Sequence, residues 1–143
     1  MATLIEKAIG SLEDKRRWRA HKARVQALPP AHRDAAEAVE RYTIQLGALV
    51  VGDLPAEPLM AMLDDVADRF ERAAATGETV ARVVGEDPAG FADALVATHL
   101  GARWLAEPAP GITAVEREVH RHLGEGIAKE RRRMLGVIAR VSA

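Results

Sequence analysis

The chain has 143 residues, of which 48% are hydrophobic, 29% charged and 3% aromatic, with no cysteine and a formal net charge of −1. A chain this long is expected to form one domain and to bury roughly two thirds of the surface its unfolded form exposes, so it needs neither disulfides nor a metal to fold. The lack of cysteine excludes disulfide frameworks, thiol nucleophiles and thiolate metal sites, and the small net charge argues against a protein that coats a polyanion.

The longest uninterrupted apolar run, residues 59–63, is far short of the ~18 residues that a membrane span requires. The first residues lack the charged start and long apolar core of a secretory signal, so a cytoplasmic location is expected. Helical periodicity recurs in nearly every segment, and no stretch alternates long enough to read as a strand. The expected fold is an all-α compact bundle of about five to six helices, with orthogonal rather than simple up-down packing.

Thr3 with Glu6, and Ser11 with Asp14, form successive cap-like patterns around Gly10. They predict a nearly continuous first helix over about residues 4–27, kinked near Gly10, whose apolar stripe rotates from Ile5, Ile9 and Leu12 to Trp18 and Val25. Pro29 and Pro30 end it, and Pro30 suits the first turn of the next helix. That second helix is expected over 30–46, with Ala35, Val39, Tyr42 and Leu46 on one face and a stop at Gly47. Residues 48–54 read as an apolar connector.

The third helix, over 55–75, has the cleanest pattern: Leu59, Met62, Leu63, Val66, Phe70 and Ala73 share a stripe, which predicts the central core helix. Gly77 ends it. A short helix over 78–84 is closed by Gly85. Asp87 and Pro88 then supply a cap and a first-turn proline for a helix carrying Phe91, Ala94 and Leu95 as far as Trp104 and Leu105. After a break at Pro108, Pro110 and Gly111, a capping box of Thr113 with Glu116 starts the last helix. Gly124 and Gly126 lie inside it, where each costs ~1 kcal/mol relative to alanine, so a kink or a division into two helices is expected there.

The net charge conceals a partition: residues 1–28 carry +4, residues 29–112 carry −8 and residues 113–143 carry +3. Two clusters hold most of the basic groups. The first contains Lys15, Arg16, Arg17, Arg19, Lys22 and Arg24; the second contains Lys129, Arg131, Arg132, Arg133 and Arg140. The ordinary expectation for such faces is solvation, with surface pairing to Asp64, Asp65, Asp68 and Glu71. The functional expectation is a surface for a phosphate or an acidic partner, built on Lys15, Arg16, Arg19 and Lys22 with Trp18, the only aromatic inside either cluster. Nucleic-acid binders join a basic stripe to a motif or to base-stacking aromatics, so weak nucleic-acid binding through the basic ends ranks last.

No constellation in the chain points to a reaction. His21, His32, His99, His120 and His122 are scattered and read as surface residues; Glu116 with His120 makes only one edge of a metal site, where three or four ligands must converge. Serine occurs only at Ser11 and Ser142, and residues 85–90 lack the lysine and hydroxyl of a phosphate loop. No catalytic, metal-binding or cofactor-binding residue is assigned, and an enzyme is not expected.

Residues 5–33, IEKAIGSLEDKRRWRAHKARVQALPPAHR, contain Gly10, Lys15 and Trp18 followed by the Ala27, Leu28, Pro29 turn. This stretch resembles the opening block of a bacterial family known only as domain of unknown function 1048. Residues 70–95, FERAAATGETVARVVGEDPAGFADAL, resemble the second block of the same family. The likeness extends over about residues 3–100. Residues 105–126 look like an insertion, and 127–143 resemble the family's closing helix within a single domain of 1–143. The resemblance implies a small cytosolic helical bundle without known catalysis, and genomic company with PadR-like transcriptional repressors. The leading expectation is therefore a helical interaction or regulatory module whose partner is a second copy of the chain or a transcriptional regulator. The alternative is a small-molecule binder with an apolar pocket near Trp18, Trp104, Met60 and Met62.

Overall fold

The computed structural model describes residues 12–51, 54–101 and 113–142. Among them are six helices and no strand: α1 (Leu12–Gln26), α2 (Pro30–Val51), α3 (Ala56–Ala75), α4 (Val80–Val84), α5 (Pro88–Leu100) and α6 (Ala114–Val141). The expected start of the first helix, its kink at Gly10, and Trp104 with Leu105 lie outside the described residues. No helix of the described residues is long and apolar enough to cross a membrane.

The stripe that marks α3 as central does what its spacing dictates. Leu59, Met62, Leu63, Val66, Phe70 and Ala73 are all fully buried, joined by Met60 and Ala67. Around this spine pack Val25 from α1 and Leu28 just after it, Val39, Tyr42 and Leu46 from α2, Val80 and Val84 from α4, Ala92 and Val96 from α5, and Met134 and Ile138 from α6. Local chemistry sets the short elements. The Thr79 hydroxyl accepts from the Arg82 amide to start α4 one turn before Gly85, which turns the chain at φ 73°. Asp87 accepts from the Gly90 amide at 3.0 Å, and Pro88 opens α5 behind it.

Three expectations are corrected. α5 ends at Leu100, where Gly101 takes φ 105°, short of the expected Trp104 and Leu105. α2 does not stop at Gly47 but continues to Val51, so residues 48–51 of the expected connector are helical. Gly47 is a packing residue: a Cβ there would lie 2.8 Å from Leu100 Cδ1 and 3.0 Å from Leu54 Cδ2, so its bareness lets α5 and the segment after α2 close against the helix. α6 likewise runs unbroken through Gly124 and Gly126, with no division into two helices. Leu49 of α2 lies 3.5 Å from where a Cβ of Gly126 would stand.

Side-chain pairs fix the helix directions. Tyr42 meets Arg131, and Leu49 approaches Gly126, so α2 and α6 run antiparallel. His21 meets Glu40 and Gln26 meets Glu37, so α1 and α2 form an antiparallel hairpin. Arg17 reaches Glu57 and Asp64 while Arg24 reaches Asp68 and Glu71, so α1 runs alongside α3 in the same direction.

Candidate functional site

The long faces of α1 do different jobs. One side bears Arg17, which donates to Glu57 at 2.7 Å and to Asp64 at 2.9 Å, and Arg24, which donates to Glu71 and Asp68 at 2.5 Å each. The basic cluster thus meets the acidic middle of the chain, as the charge partition predicts. The pairing is narrower than expected, because Asp65 turns away from α1 and accepts instead from Arg69 at 2.7 Å and His99 at 3.0 Å. Burial raises the Asp65 carboxyl, but hydrogen bonds from His99 and Arg69 outweigh it and hold the group below the usual range.

The inner edge of α1 contains a feature that the sequence reading missed. His21 is 1% exposed and Glu40 5%, and the imidazole Nε2 donates to the Glu40 carboxylate across the α1/α2 interface. His21 is therefore not a surface residue as expected. It stands three residues after Trp18 and four before Val25, on the very stripe that the apolar residues define. Its second nitrogen, Nδ1, has no hydrogen-bond partner and lies 4.0 Å from Asp64 Oδ1, while the Trp18 ring stacks on the imidazole with centroids 5.7 Å apart.

A second polar cluster joins three helices. Tyr42 of α2 donates to Asp93 of α5 at 2.5 Å, and Arg131 of α6 donates to Asp93 at 2.8 Å and to the Tyr42 oxygen at 3.2 Å. Burial pushes the Tyr42 phenol up to about 12, reinforced by the Asp93 hydrogen bond and only partly opposed by Arg131. Tyr42 is the sole tyrosine, so phenolate absorbance reports this cluster alone. The native protein is expected to ionise its tyrosine near 12, against 10.0 for the free group, so its contribution to stability is full below pH 10 and is lost as pH rises through about 12. A native phenolate midpoint at 10 would contradict the buried geometry.

Above these clusters lies an open groove of about 590 Å³ between α1 and α6, floored by α2. Trp18 and Lys22 form the α1 wall, with the Lys22 ammonium 5.3 Å from the Trp18 ring centroid. Arg133, Val137 and Arg140 form the α6 wall, and Ala38, Ile44 and Met134 give the floor its apolar part. The lining carboxylates have neighbours of their own: Asp34 lies 3.9 Å from Arg33 and Glu130 3.4 Å from Arg41, while Glu37 accepts from the neutral Gln26 amide and Glu40 from His21. Lys22, Arg133 and Arg140 have no carboxylate partner among the described residues.

Of the five residues expected to form an interaction surface, the groove gathers Trp18 and Lys22. Lys15, Arg16 and Arg19 are exposed on α1 and do not line it. Of the residues expected around an apolar pocket, Trp18 lines the groove, Met60 and Met62 are fully buried on the core side of α3 and do not line it, and Trp104 lies outside the described residues. Among the described residues no three histidine, aspartate or glutamate side chains converge as metal ligands.

This chain is a small all-α bundle whose helix interfaces are pinned by buried polar pairs and whose open face is a charged groove. The family described as protein of unknown function (DUF1048) matches residues 9–106, and the chain belongs to that family. The match takes in all of α1 to α5 and ends before α6. No curated protein and no solved structure matches the chain.

Proposed function

We propose that this protein is a cytoplasmic, non-catalytic helical module that binds a protein partner in the groove between α1 and α6. One observation carries the reading: Lys22, Arg133 and Arg140, cations with no carboxylate partner among the described residues, stand around a partly apolar floor beside an aromatic wall. Binding surfaces combine such a centre with a charged rim. The groups that acid-base chemistry would use are instead spent on holding helices together: His21 on Glu40, His99 on Asp65, and Asp93 on Tyr42 and Arg131. The partner class that the family resemblance implies is a transcriptional regulator.

The test compares the wild type with Arg133→Glu/Arg140→Glu and with Arg82→Glu, an exposed residue on α4 away from the groove. Co-purification from the native host is expected to retain the same protein with the wild type and the α4 variant, and to lose it with the groove variant. A partner retained equally by all three, or by none, overturns the reading.

A further inference from the structure

The groove has dimensions and a charge pattern that define its guest. Resting on the reading that it holds a protein partner, we infer that the occupant is an acidic amphipathic helix of about three turns. α2 lines the floor from Asp34 to Gln45 and α6 lines one wall from Glu130 to Arg140. At about 1.5 Å of rise per residue these stretches are roughly 15–17 Å long, the length of three helical turns. Arg133 and Arg140 stand seven residues apart on one wall, about 10.5 Å along the helix axis. Two carboxylates seven residues apart on a guest helix have the same spacing and meet both guanidinium groups. A third carboxylate on the guest's other edge meets Lys22.

The apolar stripe of the guest then lies on Ala38 and Val137, the half-buried aliphatic residues of the lining, with Trp18 at its side. Among the described residues there is no sheet edge to accept an extended strand, which leaves the helix-in-groove mode. A nucleic acid fits less well, because Trp18 is the one aromatic ring of the lining that is not buried, too little for successive bases to stack on.

Trp18 serves as the reporter in a Trp104→Phe background, where it is the sole tryptophan. The full chain is titrated with a synthetic amphipathic helix bearing glutamates seven residues apart, with the same peptide carrying glutamine and then lysine at those positions, with a single-stranded oligonucleotide and with octanoate. The glutamate peptide is expected to bind at least about tenfold more tightly than the glutamine peptide and to weaken with added salt. Lys22→Glu/Arg133→Glu/Arg140→Glu is expected to reverse the preference toward the lysine peptide while unfolding at the wild-type temperature. Equal binding of the glutamate and glutamine peptides overturns the acidic guest but leaves the groove as a protein site. Binding of the oligonucleotide or octanoate with none of the peptides overturns both readings, as does the absence of any change in Trp18.

Discussion

Glu40→Ala is expected to cost about 1–3 kcal/mol, the range for leaving a buried polar group without its hydrogen-bond partner, and to lower the unfolding temperature by roughly 4–10 °C. The cost falls on His21. The imidazole is fully enclosed by Trp18, Glu40 and the α1/α3 contact, and its Nδ1 already lacks a hydrogen-bond partner, so without Glu40 both ring nitrogens are stranded. His21→Leu alone leaves the opposite defect, a buried carboxylate with no donor from α1. The double variant His21→Leu/Glu40→Met removes both polar groups and restores apolar volume, so it is expected to unfold closer to the wild type than either single change. Additive losses in the double variant, or a Glu40→Ala protein with the wild-type midpoint, would show that the two side chains do not depend on each other.

The pair explains why part of the fold could be read from sequence and part could not. Burial on α3 was legible because every position of its stripe is apolar and only one helix rotation hides all six. On α1 the hidden stripe includes a histidine, and on α2 it includes Glu40 between Val39 and Thr43, so residue type hides what spacing reveals. Spacing places His21 with Trp18 and Val25, but its partner lies nineteen residues away in sequence, across a hairpin, where no local pattern reaches. Gly47 misled for a related reason. A glycine read along one helix signals a stop, whereas its use here depends on Leu100, far along the chain.

The groove was legible in its composition more than in its location. The basic ends and acidic middle predict that helices from the two regions meet, and Arg17 and Arg24 show them doing so on α3. Which bases are neutralised is a property of three-dimensional pairing. Arg17 and Arg24 are spent, whereas Lys22 turns to the other side of the same helix and joins Arg133 and Arg140 from more than a hundred residues away. The chain sum of −1 says nothing of the groove rim, where a ligand meets Lys22, Arg133 and Arg140 at contact distance.

Met134→Ala is expected to destabilise the protein by about 2–5 kcal/mol, the range for truncating a long apolar side chain in a packed core. α6 lies beyond the matched family region, so its status as part of the domain rests on packing alone. Met134 is 1% exposed and Ile138 4%, both within the core cluster, and Arg131 ties the same helix to Tyr42 and Asp93. The first turns of α6 are different, with Val115 73% exposed and Val119 52%. Val119→Ser is accordingly expected to change stability by no more than about 0.5 kcal/mol. Because α6 is one continuous helix, helix propensity does not separate the two sites; burial does. Denaturant unfolding of the two variants reads the difference directly. Equal and small effects would mean that α6 is an appendage, and the groove, one wall of which is α6, would then lack a fixed shape.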